Sequence, residues 1–272
     1  MMNRKTFWLS AAAALALGLV GCGSDGNDGT GGIGGSGGSA GSGGSGGMPM
    51  GTVMVNVAHL APEVPAAGDT AVDILVNGET AIEGLSYGQS TGRVPLDPGS
   101  YTFGVAVAGS TEAVIELPAT LNDGDDLTVV AYRTNEAPFV AAFVFNNSTE
   151  GLEVGNGRVF VGHGANDSLL DPVDVIVTDE GACPPPLLDQ FAFGTIAPAT
   201  DNLDLPAGSV NIGFDLDPGD CTAEAGPIEV PVTADVVSIL VAVDEDTLDE
   251  SLAPQVWAIV DASDSPVALI NP

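Results

Sequence analysis

The chain of 272 residues contains the same series of short apolar runs twice, in the same order. The runs are rich in Val, Ile, Thr and Phe, and Gly, Pro, Asp and Asn separate them, which is typical of an all-β sandwich. Each copy spans about 100 residues, the size of an immunoglobulin-like domain. The sequence therefore predicts two tandem immunoglobulin-like antiparallel β-sandwich domains. Four pairs of segments match: Val53–His59 with Arg158–His163, Ala71–Val76 with Pro172–Val177, Leu85–Gly88 with Phe191–Gly194, and Leu96–Tyr101 with Leu205–Val210.

The composition divides the chain into four parts. Residues 1–21 are predicted to be a leader, and residues 22–51 a flexible Gly/Ser tether with too little apolar surface to offset the entropy of ordering. The first β-sandwich repeat is predicted at 52–148 and the second at 157–272. A polar Asn/Ser/Gly stretch separates the two repeats, as expected for a domain boundary.

The N-terminal segment predicts export and a lipid anchor. Arg4 and Lys5 precede an apolar run from Phe7 to Val20, which is the pattern of a secretory signal peptide and is too short for a permanent membrane helix. Its ending, Leu-Val-Gly-Cys, resembles the bacterial lipobox, which implies lipidation of Cys22, palmitate included. Several acyl chains on one cysteine give stable anchoring. The residue after Cys22 is Gly23 rather than Asp, which favours the outer membrane or cell surface of the bacterial envelope.

The charge limits the class of partner. The formal net charge is −32, with 37 acidic residues against 5 lysines and arginines. Nucleic acid is excluded as a partner, because its recognition requires basic groups that neutralise phosphates. The expected partners are the membrane, through the lipid anchor, and an unknown protein or glycan.

Both copies share a set of motif residues. They are His59, Pro62, Val72, Asp73, Tyr87, Gly88, Leu96, Gly99 and Tyr101 in the first copy, and His163, Asp174, Phe193, Gly194, Pro206 and Gly208 in the second. With these motifs the repeat resembles a bacterial family known as domain of unknown function 4397. The resemblance covers nearly all of residues 52 to 270 and implies exported, envelope-associated β-sandwich proteins with no established activity. The second copy departs from the pattern with Asn166 in place of Pro62 and Val210 in place of Tyr101.

Two cysteines remain after Cys22, namely Cys183 and Cys221. An even number in an exported protein suggests one disulfide, which the chain-entropy model values at about 4 kcal/mol for this loop length. Two free thiols are the alternative. The pair lacks the Cys-x-x-Cys spacing that a redox-active site requires.

The two histidines occupy equivalent positions at the ends of matching strands. His59 and His163, together with Asp73 and Asp174, are predicted either to stabilise the fold or to bind a ligand. Zinc needs three or four converging ligands, and each repeat offers one histidine. The structural interpretation, in which each imidazole satisfies nearby backbone groups or the following aspartate, is therefore favoured.

Gly84-Leu85-Ser86-Tyr87-Gly88 matches the Gly-x-Ser-x-Gly pattern of serine hydrolases. That pattern requires a helix after the serine, whereas Gln89–Asp97 is typical of a turn and a strand. The second copy has Ala192 at the position of Ser86. The sequence therefore predicts no catalytic residue and a protein that is not an enzyme.

Two acidic turns offer oxygen ligands that Ca²⁺ prefers. Because Asp, Asn and Gly are also the usual turn residues, plain hairpin turns are favoured. The sequence therefore predicts no cofactor, and bound Ca²⁺ is the alternative. The leading functional hypothesis is a non-catalytic envelope lipoprotein that presents two domains for adhesion, matrix or partner binding. A Ca²⁺-stabilised polysaccharide-binding module and an exported serine hydrolase are the alternatives. The candidate Ca²⁺ ligands are Asp123, Asp125, Asp126, Asp217 and Asp220.

Overall fold

In the computed structural model, the described residues are 51–62, 71–165, 171–178, 185–198, 202–215, 223, 225–243, 255–261 and 265–269. All regular structure among them is β-strand, and they include no helix long and apolar enough to cross a membrane. The predicted leader, the lipidation site Cys22, most of the tether, and both Cys183 and Cys221 lie outside these residues, so those predictions stay predictions.

The first repeat forms two sheets. The first inner sheet has the order β4-β1-β8-β9, with β5 also paired to β1, and the first outer sheet has the order β3-β2-β6-β7. Its strands are β1 (Val53–Leu60), β2 (Val72–Val76), β3 (Glu79–Leu85), β4 (Gln89–Ser90), β5 (Val94–Leu96), β6 (Gly99–Val107), β7 (Ala113–Leu121), β8 (Asp126–Arg133) and β9 (Val140–Asn146).

The second repeat forms two further sheets on the same plan. The second inner sheet has the order β13-β10-β17-β18-β19, with β14 also paired to β10, and the second outer sheet has the order β12-β11-β15-β16. Its strands are β10 (Asn156–Gly164), β11 (Val173–Val177), β12 (Leu188–Phe191), β13 (Ile196–Ala197), β14 (Leu203–Pro206), β15 (Gly208–Asp215), β16 (Ala225–Val232), β17 (Val237–Val243), β18 (Gln255–Val260) and β19 (Val267–Leu269).

The all-β sandwich predicted from the sequence is confirmed, but the sheets are not purely antiparallel. In each inner sheet the central pair runs parallel: β1 with β8 and β10 with β17. Parallel strands are typically buried on both faces. β1 and β17 follow that rule, since nearly every residue of both strands is buried.

Two apolar cores fill the two sandwiches. In the first, Val53, Val55 and Val57 of β1 face Val72 and Ile74 of the outer sheet. The second core joins β10 and β17 to β11, β15 and β16 in the same way. The period-2 alternation of a strand places these residues on one face of each inner sheet.

A third apolar core joins the two repeats. The opposite faces of the two inner sheets pack on each other, so the four sheets stack in the order outer, inner, inner, outer. Residues 47–272 accordingly form one compact unit. The buried residues of this shared core are Ala58, Leu60, Val130, Tyr132, Phe143 and Phe145 from the first repeat, and Val237, Ile239, Val241, Val243 and Ile259 from the second.

Candidate functional site

The two predicted histidines lie at equivalent places at the ends of β1 and β10, and both are buried. The His59 carbonyl accepts a hydrogen bond from the Gly88 N–H at 2.8 Å, and the His163 carbonyl accepts one from Gly194 at 2.7 Å. An aromatic ring stands edge-on to each imidazole, with centroids 6.4 Å away for Tyr87 and 6.3 Å for Phe193. Each histidine therefore holds the aromatic-glycine turn of its own repeat against the end of the inner sheet.

The two predicted aspartates accept hydrogen bonds from backbone groups of the outer sheets. The Asp73 carboxylate is 4% exposed and accepts hydrogen bonds from two backbone N–H groups, Gly84 at 2.8 Å and Gly109 at 2.7 Å. Asp174 accepts one from Gln190 at 2.7 Å and lies opposite Asp215 in the strand register. These contacts make each aspartate a connector of strand ends, because buried backbone donors need an acceptor.

We expect Asp73→Ala to lower the free energy of unfolding by about 2 kcal/mol, since it leaves two backbone N–H groups without their charged acceptor. Asp174→Ala is the matched change in the second repeat. It should also destabilise the protein, because it removes the acceptor of the Gln190 N–H. Urea denaturation measures both losses, and an Asp73→Ala protein as stable as the native chain would contradict the assigned role of Asp73.

Two of the described acidic residues, Asp125 and Asp126, form hydrogen bonds or ion pairs within the protein. Asp125 accepts hydrogen bonds from the Asn122 backbone and side chain, at 2.7 and 3.3 Å. Asp126 pairs with Arg93 at 3.0 Å and accepts from Asn147 at 2.8 Å. Asp123 lies in the same turn, and the candidates Asp217 and Asp220 lie outside the described residues. Within the described ranges, no three His, Cys, Asp or Glu side chains come together as a metal site would require.

The segment around Ser86 forms a turn that joins β3 of the outer sheet to β4 of the inner sheet. The Ser86 N–H donates to the Gln89 side chain at 3.1 Å, and the short strand β4 follows directly, as the sequence predicted. A hydrolase elbow instead places its serine at the start of a helix. Gly88 supplies the positive φ of this turn, 76°, and its backbone lies directly beneath the Trp257 ring.

Aromatic rings cross the interface between the repeats at two related places. Tyr87 meets Trp257 edge to face at 5.4 Å, and Phe193 meets Tyr132 in the same manner at 6.0 Å. In both cases the aromatic-glycine turn of one repeat contacts a ring from the inner sheet of the other. Edge-to-face pairs add about 0.5–1.5 kcal/mol each beyond the area that they bury.

Two glycines of β10 leave space for the rings of Phe143 and Tyr132. A Cβ on Gly162 would stand 2.9 Å from the Phe143 ring, and one on Gly164 would stand 2.9 Å from the Tyr132 ring. The equivalent positions in the first repeat are Ala58 and Leu60. No functional motif of the sequence marks Gly162 or Gly164, although glycine inside a strand often indicates a close approach of another chain segment.

Two arginines join the repeats through polar contacts. Arg158 is buried, forms a two-pronged ion pair with Asp204 at 2.8 and 3.0 Å, and donates to the Ser148 and Glu150 carbonyls of the connecting segment. Arg93 of the first repeat bridges Asp126 at 3.0 Å and Asp261 of the second repeat at 3.1 Å.

Burial in the shared core raises the pKa of the Tyr132 phenol. A tyrosine in the unfolded chain ionises near pH 10. Above that pH the unfolded chain releases its proton before the folded chain does, so the free energy of unfolding falls as pH rises from about 10 toward the folded-state pKa. We expect the native chain to lose more stability between pH 8 and pH 11 than Tyr132→Phe does. Equal losses in the two proteins, measured by urea denaturation, would contradict this assignment.

Comparison with known proteins agrees with the motifs but adds no activity. A search of curated proteins finds no match to the chain. The family model described as "Domain of unknown function (DUF4397)" matches residues 53–175, which include the strands β1 to β9 of the first repeat, and β10 and the first three residues of β11 of the second. The resemblance predicted from the sequence is thereby confirmed, and over residues 53–175 this chain is similar to the DUF4397 family.

Proposed function

We propose that this chain is a non-catalytic lipoprotein of the bacterial cell envelope that presents its two repeats as one stiff body for adhesion, matrix or partner binding. The observation that carries the proposal is the apolar core shared by the two inner sheets. An interface of this kind suppresses the relative motion that tandem domains otherwise show. A stiff body on a long flexible tether suits the presentation of a binding surface away from a membrane.

The bonding of the polar side chains that could take part in chemistry supports a binding role over catalysis. Asp73, Asp126 and Arg158 all make their hydrogen bonds to other groups of the protein, where they hold turns and the connection between repeats. A catalytic site needs such groups to converge on a cleft where a substrate can bind. Covalent labelling of Ser86 by a serine-directed probe would contradict the non-catalytic assignment.

Anchoring is tested in bacterial cells that export the full chain. Cys22→Ser should move the protein from the membrane fraction to the soluble fraction, because the acyl chains supply the membrane affinity. Cys183→Ser is the matched control and should stay with the membrane. A Cys22→Ser protein that still sediments with membranes would contradict the proposed anchor.

Digestion of intact cells with a protease of broad specificity then tests which way the body faces. Release of an intact fragment containing residues 52–272 would support surface presentation, since the Gly/Ser tether offers the exposed cleavage sites. Protection of the fragment until the outer membrane is opened would instead favour a scaffold inside the envelope.

A further inference from the structure

The outer edge of β9 is an open strand edge within the first inner sheet. β9 pairs with β8 on one side, and no described strand pairs with it on the other. Its residues Val140–Asn146 read Val-Ala-Ala-Phe-Val-Phe-Asn, without charge or proline. An unpaired edge presents a row of free backbone donors and acceptors, and proteins usually protect such an edge with charge, proline or a covering segment.

Most other edge strands of the four sheets carry that protection. Proline or acidic residues occur within them, whereas β4 and β13 are only two residues long. The protecting residues are Glu79 and Glu83 in β3, Pro95 in β5, Glu116 and Pro118 in β7, Asp189 in β12, Pro206 in β14, and Pro227, Glu229 and Pro231 in β16.

The second repeat shows what occupies the equivalent edge. Phe143 of β9 corresponds to Trp257 of β18, because each lies beside the matching residue of the central parallel pair. β18 is covered by β19, whose three residues Val267–Leu269 run antiparallel to it, with Trp257 opposite Ala268. In the first repeat the chain passes from β9 to β10 without an equivalent strand.

The strand β9 of the first repeat is more exposed than its equivalent β18 in the second, as expected when no strand covers β9. Ala258, which lies opposite Val267 of β19, is 2% exposed, whereas the equivalent Val144 of β9 is 45% exposed. Leu269 of β19 packs against the core of the second sandwich. The corresponding margin of the first sandwich, between β9 and β7, exposes Val144 and leaves Leu117 half-buried.

We propose that the β9 edge binds an extended aliphatic segment of a partner protein, which adds as an antiparallel strand and covers Val144 as β19 covers Ala258. The inference rests on the proposed function and names the class of partner and its site. Strand addition of this kind takes its affinity from backbone hydrogen bonds and its specificity from alternate side chains.

Charge defines the partner further. The chain carries a formal net charge of −32, and Glu136 lies in the turn that joins β8 to β9. A segment flanked by lysine or arginine is therefore attracted, while a second copy of this strongly acidic chain is repelled. The expected segment has about six aliphatic residues with basic residues at its ends, which matches the length of β9.

The test uses the exported chain from residue 23 onward and the synthetic peptide Lys-Lys-Val-Ala-Leu-Val-Ala-Leu-Lys-Lys, which repeats the Val267–Leu269 sequence. We expect saturable binding by calorimetry and slower amide hydrogen exchange in β9. Val144→Lys should weaken binding at least about tenfold, because it places a charge where the aliphatic side chain must pack. Val154→Lys, at an exposed position of the connecting segment, is the matched control and should bind as the native chain does.

Several outcomes would overturn the proposal. They are an absence of saturable binding up to about 5 mM peptide, binding that Val144→Lys leaves unchanged, and equal binding of a peptide with glutamates in place of the lysines. A chain that dimerises, and becomes monomeric in Val144→Lys, would assign the edge to a second copy instead. None of these outcomes affects the anchoring proposal, which depends on Cys22.

Discussion

Replacing Arg158 with methionine is expected to lower the free energy of unfolding by about 3–5 kcal/mol, the usual cost of removing one partner from a buried ion pair. Arg158 is 3% exposed. Its loss leaves Asp204 without its two-pronged partner and leaves the Ser148 and Glu150 carbonyls without their donor. Methionine keeps much of the side chain's apolar stem, so the change chiefly removes the guanidinium.

Two matched variants separate the causes of that loss. Arg158→Lys keeps the charge but not the planar fork, so its stability should lie between those of the native chain and Arg158→Met. Arg93→Met removes two ion pairs of an arginine that is about a third exposed, and it should cost less than about 1 kcal/mol for each pair. Equal losses in Arg158→Met and Arg93→Met, measured by urea denaturation, would show that burial of Arg158 does not matter as argued.

Gly162→Val is expected to lower the free energy of unfolding by about 3 kcal/mol, because side-chain atoms must enter the packed centre of the shared core. The added Cβ alone stands 2.9 and 3.0 Å from two atoms of the Phe143 ring and 3.2 Å from Phe145. Since these are ring atoms within a buried core, they cannot swing aside as the end of a flexible surface chain can.

A double-mutant cycle identifies the clash. Gly162→Ala and Phe143→Leu should each destabilise the protein, and the combined variant should lose less than the sum of the two, because the smaller leucine makes room for the new methyl group. Gly99→Ala is the control, since its Cβ would meet only ordinary contacts with Tyr101 at 3.6 Å and beyond. Simple additivity in the cycle would contradict the packing described for Gly162.

The sequence predicted the all-β fold well, because the period-2 alternation of strands is a local pattern. It did not predict the shared core. Ala58 and Leu60 continue the apolar run of β1 on its second face, but such a run indicates only that the strand is buried on both sides. That the second face meets the other repeat depends on Phe143 and Phe145, which are distant in the sequence.

The candidate site shows the same limit. Asp73 was predicted to be a structural or ligand position together with His59, yet its partners are backbone groups of Gly84 and Gly109, which no residue pattern marks. These two glycines reach Asp73 only through the pairing of β2 with β3 and β6. The open edge of β9 also became visible only when the strand order of the two repeats could be compared.

The shared core should make the two repeats one cooperative body, and differential scanning calorimetry of the whole body tests this expectation. For the chain from residue 23 onward, we predict one thermal transition whose calorimetric enthalpy equals its van't Hoff enthalpy, as a single cooperative unit requires. Two resolved transitions, or a calorimetric enthalpy near twice the van't Hoff value, would mean that the repeats unfold independently and would contradict this expectation.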